Sequence, residues 1–227
     1  MNAYINPHDP SSLTASFCGK AFLQALSRAS KILLDLFGAA TLILALSPLL
    51  LAISVLVKLD GGPVFYAHPR LGAGKRRFRC LKFRSMRQDS NAMLERVLRT
   101  DAVAAIEWNA THKLRNDPRV TLIGSFLRRT SLDELPQLFN VLRLEMSLVG
   151  PRPIVDDEVG HYGNSIACYY AMRPGLTGLW QVNGRSSTTY RKRVQLDTWY
   201  VKNWTLWRDV LILAKTVPAV LKRTGAV

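Results

Sequence analysis

The stretch ILLDLFGAATLILALSPLLLAISVLV, residues 32–57, decides the architecture of this 227-residue chain. Asp35 is its single ionisable side chain, and as a helix the stretch would be about 39 Å long, longer than the bilayer hydrocarbon core of about 30 Å. It is too long and begins too late for a secretory signal peptide, and no small-residue cleavage pattern follows it. Residues 32–57 therefore predict a helix in contact with a membrane.

The topology of this helix stays open at the level of sequence. Pro48 removes a backbone N–H and clashes with the carbonyl of Leu44, which costs about 3 kcal/mol in a regular helix, so we predict a break at Ser47 and Pro48. Basic residues on both sides draw both ends to the cytoplasm by the positive-inside rule: Lys20, Arg28 and Lys31 before the stretch, and Lys58 and Arg70 after it. A helix that re-enters at Ser47 and Pro48 satisfies this rule, whereas a spanning helix that tolerates its proline is the alternative.

The membrane segment divides the chain into three parts. Residues 1–31 are polar and then mildly apolar, which indicates a loose start and an interfacial helix. We expect residues 58–227 to form a small cytoplasmic domain. Its pattern predicts a hairpin, with strands at 64–66 and 78–83 around a turn at 72–74, and then helices at 91–99 and 133–144. The predicted class is α+β, mainly α.

Near the C-terminus, aromatic and basic residues alternate. Trp199, Tyr200, Trp204 and Trp207 stand among Lys202 and Arg208. This mixture suits helices at a membrane interface, and ordinary core packing is the alternative.

The chain is strongly basic, with 31 Lys and Arg against 16 Asp and Glu, a formal net charge of +15. Such a charge predicts anionic partners: anionic lipid, phosphate esters or nucleic acid. Residues 70–87 hold basic side chains and no acid, which a solvated face near lipid headgroups would also explain. No nucleic-acid-binding signature is present, so we expect no nucleic acid partner. The three cysteines are too widely spaced for a zinc site or a disulfide framework.

Two adjacent carboxylates, Asp133 and Glu134, are the leading candidates for chemistry. Ser131 and Glu134 match a capping box, which would make Glu134 structural. Pro136 instead favours Asp133 as the helix start, because proline is tolerated in the first turn and not as the fifth helical residue. A helix start stabilises a carboxylate and also favours phosphate, so a structural cap and a catalytic role both remain open.

Arginines flank this segment. Arg128 and Arg129 precede it, and Arg152 follows in the sequence Gly-Pro-Arg-Pro at 150–153. Two prolines stiffen the loop around Arg152, and a rigid guanidinium can hold phosphate through two parallel hydrogen bonds. An ordinary turn with a surface arginine is the alternative.

Five ordered motifs carry a resemblance. They are KFRSM at 82–86, DPRVT at 117–121, LRRTSLDELPQL at 127–138, MSLVGPRP at 146–153 and RPGLTGLWQV at 173–182. With them, the chain from residue 32 to the C-terminus resembles the bacterial sugar transferases, the monotopic phosphoglycosyl transferases that load polyprenyl phosphate. Leu144 departs from the family, which usually has glycine there.

The resemblance implies a two-step exchange. Asp133 would attack the β-phosphate of a UDP-sugar and release UMP, and undecaprenyl phosphate would then displace the sugar phosphate from Asp133. It also implies Mg²⁺ with Asp133 as a metal contact, Glu134 as the second member of a catalytic dyad, and phosphate binding by Arg152, Arg128, Lys82 and Arg84. It implies re-entry of the membrane helix at Ser47 and Pro48.

The biological setting follows from the same resemblance. It implies catalysis at the cytoplasmic face of the bacterial inner membrane, initiation of exopolysaccharide from UDP-galactose or UDP-glucose, and possible downstream glycosyltransferase partners. Larger relatives carry additional membrane helices, so the chain resembles the minimal catalytic form. A non-enzymatic basic membrane adaptor that gathers anionic lipid or nucleic acid is the alternative from another class.

Overall fold

The computed structural model describes residues 10–111, 114–184 and 188–221, with the backbone alone at 10–25, 111, 220 and 221. The first nine residues of the predicted N-terminal segment lie outside the described residues. The helices are α1 Pro10–Leu59, α2 Ser90–Thr100, α3 Ala102–Thr111, α4 Leu122–Thr130, α5 Gln137–Leu142, α6 Val159–Tyr162, α7 Ile166–Tyr170, α8 Leu179–Val182, α9 Tyr190–Lys202 and α10 Leu206–Leu221. The strands are β1 Phe65–Leu71, β2 Arg77–Phe83, β3 Ser147–Val149 and β4 Gly175–Thr177.

The class is α+β and mainly helical, as predicted. The predicted hairpin is confirmed: β1 and β2 are antiparallel, with Phe65 opposite Phe83 and Leu71 opposite Arg77. Their connection contains Gly74 at φ 61°, where glycine carries no steric penalty. β3 and β4 form a second, parallel pair. Helix α2 confirms the helix predicted at 91–99.

Helix α1 is continuous from Pro10 to Leu59 and contains Pro48. Its part Leu26–Leu59 is long and apolar enough to cross a membrane, with a mean hydropathy of 2.5. Pro48 cannot donate to the Leu44 carbonyl, but the Ser47 hydroxyl donates to that oxygen at 2.8 Å. The serine thereby replaces the missing bond, and re-entry and spanning both stay predictions.

The predicted helix at 133–144 is wrong in its first turn. Ser131 ends α4 in the left-handed conformation at φ 59°, and a single 3-10 turn, Leu132–Glu134, follows. Helix α5 begins only at Gln137, directly after Pro136, a position where the missing N–H of proline costs no hydrogen bond. The Ser131 side chain makes no capping hydrogen bond, so the capping-box interpretation is not supported either. Asp133 therefore lies in a tight turn between two helices.

Both ends of the apolar segment pack on the remainder of the fold. Ala39 belongs to a buried cluster with Met146 and with residues of β2, β3, α5, α9 and α10, namely Phe78, Cys80, Leu138, Val141, Leu148, Val149, Tyr200 and Ile212. Leu50, Ile53 and Val57 belong to a second cluster with Phe83 and Leu127. Each end of the apolar segment thus contributes to a hydrophobic cluster that also contains residues of β2.

Two buried polar networks hold the start of this segment, one helical turn apart. The Lys31 ammonium lies 2.6 Å from the Asp209 carboxylate on α10 and donates to the Val149 carbonyl at 3.1 Å. Asp35 accepts hydrogen bonds from Ser147, the Leu148 N–H and Arg173. The single acid of the apolar stretch therefore faces protein.

The C-terminal aromatic residues divide between the two interpretations. Tyr200 and Trp204 donate hydrogen bonds to Asp209 and belong to the interior. Trp199 and Trp207 have exposed fractions of 48% and 68%. Of these four residues, Trp199 and Trp207 are the ones exposed enough to contact a membrane interface.

Candidate active site

The site is built where the edge of β2 meets the 3-10 turn. Asp133 is buried, with 7% of its surface exposed, and Glu134 is half-buried. The Lys82 ammonium on β2 lies 3.3 Å from the Asp133 carboxylate and 2.7 Å from the Glu134 carboxylate. Three predicted site residues therefore form one ionic cluster.

The cluster carries perturbed proton affinities. Burial raises the pKa of Asp133, and although Lys82 and Arg128 act in the opposite direction, they do not cancel it. For Lys82, burial alone would lower the pKa, but the carboxylates of Glu134 and Asp133 outweigh it, so the pKa is raised. The ammonium thus stays charged, and Asp133 has a carboxylate that water solvates poorly.

Arg128 brings a second positive charge to this cluster. It lies at the end of α4, its Nε donates to the Ser85 hydroxyl at 2.9 Å, and its charge acts on both Asp133 and Asp117. Asp117 in turn forms a two-point ion pair with Arg119 at 2.8 and 2.7 Å. The motif at 117–121 therefore lies on the same side of the site as Arg128, and its Asp117 supplies a negative charge that acts on Arg128.

Asn140 on α5 sets the position of β2 and was not identified from the sequence. Fully buried, it accepts from the Leu81 N–H at 2.9 Å and donates to the Arg79 carbonyl at 2.8 Å. These bonds fix the strand backbone on both sides of Cys80, close to Lys82. An asparagine on the apolar side of a short helix was the available signal, since buried amides need partners.

Arg84 does not join the dyad. Its guanidinium donates to the Val57 carbonyl at 3.0 Å and lies 3.8 Å from Asp60, so it binds the C-terminal end of α1. A cation at the C-terminal end of a helix donates to a carbonyl that has no partner within the helix, and it interacts favourably with the negative end of the helix dipole. The described contacts give Arg84 a structural role, and its phosphate contact stays a prediction.

Arg152 rests on a different support, and its charge acts on Cys80, two residues before Lys82 on β2. Its guanidinium lies 5.2 Å from the ring centroid of Trp180, and its backbone N–H donates to Asp197 at 3.4 Å. The loop before it is held at the Val149 carbonyl, which accepts from Lys31 and from Tyr200. The predicted rigidity of this loop thus has a second source besides its prolines.

The residues present fit the Mg²⁺ that the resemblance implies. The described residues contain no group of three or more His, Cys, Asp or Glu side chains placed to hold a metal ion. Mg²⁺ is nevertheless commonly bound by one or two carboxylates together with substrate phosphates. Asp133 and Glu134 supply two carboxylates, and when bound the ion would neutralise phosphate charge.

This arrangement suits nucleophilic attack on phosphorus. A buried carboxylate is a competent nucleophile when cations offset the charge of the incoming phosphate. Lys82 and Arg128 supply such cations around Asp133. The geometry also places Glu134 where it can share a metal or a proton.

The family model described as "Bacterial sugar transferase" matches residues 26–223. The chain is 51% identical over 224 residues to a UDP-galactose-lipid carrier transferase of Erwinia amylovora, covering 99% of this chain and 46% of the relative. It is 51% identical over 193 residues to the exopolysaccharide production protein ExoY of Rhizobium meliloti, covering 85% of each.

A third relative has a different sugar in its name. The UDP-glucose:undecaprenyl-phosphate glucose-1-phosphate transferase of Xanthomonas campestris pv. campestris is 44% identical over 206 residues, covering 87% of this chain and 40% of the relative. The chain thus spans less than half the length of the Erwinia and Xanthomonas relatives. The matches reach over the dyad, Lys82, Arg128 and Arg152.

Proposed function

We propose, because the chain belongs to the bacterial sugar transferase family, that it transfers a sugar 1-phosphate from a UDP-sugar to undecaprenyl phosphate and releases UMP. The observation that carries the proposal is the buried Asp133 carboxylate with Lys82 and Arg128 around it. The sequence resemblance to this family is confirmed, and the reaction is our inference for this chain.

In the first step, a carboxylate oxygen of Asp133 forms a bond to the β-phosphorus of the UDP-sugar. The bond from that phosphorus to the bridging oxygen breaks, and UMP leaves with the oxygen. Lys82 and Arg128 offset the negative charge that gathers between carboxylate and phosphate. The result is a covalent aspartyl phosphosugar.

In the second step, an oxygen of undecaprenyl phosphate attacks the same phosphorus. The bond to Asp133 breaks, which restores the carboxylate and yields undecaprenyl diphosphate sugar. We assign to Glu134 a part in proton or metal handling, and to Arg152 the binding of a phosphate group.

Galactose and glucose are the proposed donor sugars, since the names of the relatives include both. The name of ExoY supports a role in exopolysaccharide production. The basic surface and the apolar helix support catalysis at the cytoplasmic face of the inner membrane. Glycosyltransferases that extend the lipid-linked sugar would then be downstream partners.

The test is UMP release by the detergent-solubilised protein from a panel of UDP-sugars with undecaprenyl phosphate, with Mg²⁺ present or chelated. We expect turnover with one hexose donor, its loss on chelation, and no turnover with Asp133→Asn. A donor labelled at the β-phosphate should label the wild type covalently and leave Asp133→Asn unlabelled.

Two outcomes would count against the proposal. Labelling retained in Asp133→Asn would assign the nucleophile to another residue. No turnover with any donor would favour the alternative of a non-enzymatic membrane adaptor, in which the dyad has no chemical role.

A further inference from the structure

A second cationic site is built on the indole of Trp180. Arg152 lies 5.2 Å from the ring centroid, and Arg193 on α9 lies 4.4 Å from it. Arg193 also stacks on Tyr190 at 5.2 Å. Stacking on an aromatic ring fixes the plane of a guanidinium, which prepares its N–H groups for two-point binding. Two positive charges are therefore held in fixed orientations at one place.

These charges are poorly compensated within the part of the chain that the structure describes. Burial and then the charge of Arg152 lower the pKa of Arg193, so the two guanidiniums repel each other. Asp197 is the buried acid nearby, and burial raises its pKa to about 7, so it is only partly charged at neutral pH. Glu158 is engaged by Arg70 at 3.5 Å and by the Val155 N–H.

The same place collects buried polar atoms that have no hydrogen-bond partner among the described residues. Three of them are donors, Nε of Arg152, Nε of Arg193 and Nε1 of Trp180, and Oδ1 of the neighbouring Asp197 is an unpaired acceptor. Trp180 is only 6% exposed. Since buried polar atoms are nearly always paired, three unpaired donors in one place indicate a ligand rich in acceptor oxygens.

The second cationic site and the dyad have a common neighbour on β2. Burial raises the pKa of the Cys80 thiol to about 11, and the charges of Lys82, Glu134 and Arg152 all act on that thiol. Cys80 is buried on β2, two residues from Lys82. Arg152, Lys82 and Glu134 are thus all near one thiol, as a substrate with more than one anionic group would require.

We propose that Arg152 and Arg193, stacked on Trp180, form a second phosphate subsite that holds a phosphate group of a substrate while Asp133 reacts. The proposal rests on the proposed function for the identity of the substrates. Two sources have this chemistry: the diphosphate of the nucleotide donor and the phosphate of the prenyl acceptor. Arg193 and Trp180 extend the site beyond Arg152, whose loop alone predicted a phosphate contact.

The first experiment measures binding without turnover. Arg193→Gln is compared with Lys192→Gln, which removes the same charge from an exposed neighbour on α9. The probes are UMP, inorganic pyrophosphate and farnesyl phosphate, and the readout is thermal stabilisation of the detergent-solubilised protein. A lost charge-assisted hydrogen bond is worth about 1.5–3 kcal/mol, so we expect Arg193→Gln to weaken binding of at least one probe about 10- to 100-fold. Lys192→Gln should bind as the wild type does.

The second experiment identifies the source of the phosphate. If the subsite holds the donor, Arg193→Gln needs more UDP-sugar to give the single-turnover release of UMP without acceptor. If it holds the acceptor, that release is unchanged and the KM for undecaprenyl phosphate rises. Arg193→Lys keeps the charge without the planar fork and should fall between the glutamine variant and the wild type.

Protection of the wild-type protein provides a measurement that does not depend on the folding of a variant. Phenylglyoxal modification of Arg152 and Arg193, followed by mass spectrometry, should slow when a phosphate probe is present. Equal binding of every probe by Arg193→Gln, or modification that no probe slows, would overturn the subsite. If the donor panel shows no turnover but phosphate binding still depends on Arg193, the proposed function fails and the subsite stands.

Discussion

Asp133 is held in a position that disfavours its own charge. Burial raises its pKa, and the neighbouring cations only partly oppose this. The cost of the buried carboxylate is absent at a pH below its ordinary pKa and is complete above its raised pKa in the folded protein. Functional sites commonly hold a reactive group in a position that lowers the stability of the fold.

Asp133→Asn should therefore stabilise the folded protein at neutral pH by about 0.5–2 kcal/mol while it abolishes turnover. The gain should shrink as the pH falls through the window between the raised pKa and the ordinary value. Thermal unfolding in detergent from neutral to acidic pH measures it. Asp156→Asn, in an exposed pair with Arg77, is the matched control and should change little. A gain that is constant with pH would contradict the assigned cause.

Leu144 stands where the family usually has glycine, and its backbone is left-handed at φ 59°. This conformation costs an L-residue about 1–2 kcal/mol. A glycine here would remove this strain, but the higher conformational entropy of glycine in the unfolded chain would offset part of the gain in stability. The departure noted in the sequence is thus a site of backbone strain directly after α5.

Leu144→Gly is expected to raise the free energy of unfolding by roughly 0.5–1 kcal/mol, since 44% of the Leu144 surface stays exposed, which limits the burial that the substitution removes. Arg143→Gly, one residue earlier at φ −80°, should lower it by a similar amount. Urea unfolding of both variants checks the pair. A loss of stability in Leu144→Gly would mean that its side chain packs better than its exposure indicates.

At the residue scale, the sequence predicted the functional candidates better than their supports. Asp133, Glu134, Lys82 and Arg128 were all named, and the structure brings them together. Arg193 was missed, because a lone arginine in a basic helix gives no sign of its neighbours. Its role depends on Trp180, which another element supplies.

At the element scale, locally encoded structure was predictable. The hairpin follows from a strand pattern on each side of a glycine turn, and β1 and β2 confirm it. The predicted start of α5 at residue 133 was wrong, because the left-handed Ser131 ends α4 and a tight turn follows before Pro136. The packing of α1 on the rest of the fold could not be predicted from the sequence, because Lys31 and Asp35 bind residues more than a hundred positions away.

The pairing of α1 with α10 gives an element-scale prediction. The Lys31 and Asp209 side chains are 8% and 0% exposed and lie 2.6 Å apart. Removing one partner of a buried ion pair leaves an uncompensated charge and costs about 3–5 kcal/mol, so Lys31→Met should destabilise the protein by that amount. The free energy of unfolding in detergent measures this loss.

A double-mutant cycle separates this pair from general damage. Lys31→Met with Asp209→Asn should recover part of the loss, because no unpaired buried charge remains. Breaking the exposed pair of Arg99 and Glu95 through Arg99→Gln should cost only about 0.3–0.5 kcal/mol. Strictly additive losses in the cycle would show that the pair is not coupled.

At the scale of the whole molecule, contacts at both ends of the apolar segment bear on topology. Lys31 and Asp35 are bonded to β3 and its neighbours at one end, and Val57 to Arg84 at the other. A full span would place these ends on opposite sides of a hydrocarbon core of about 30 Å. A polar folded domain cannot contact both, which favours entry and exit on the same side.

Cysteine labelling in sealed vesicles tests this inference. Arg28→Cys and Leu59→Cys mark the two flanks, and Val103→Cys on α3 marks the domain; all three positions are exposed. Cys18→Ser and Cys168→Ser lower the background, while Cys80 is buried. We expect a membrane-impermeant thiol reagent to label all three positions in vesicles of one orientation and none in the other. Opposite labelling of residues 28 and 59 would establish a full span, and the contacts of α1 with both hydrophobic clusters could not then persist in the membrane.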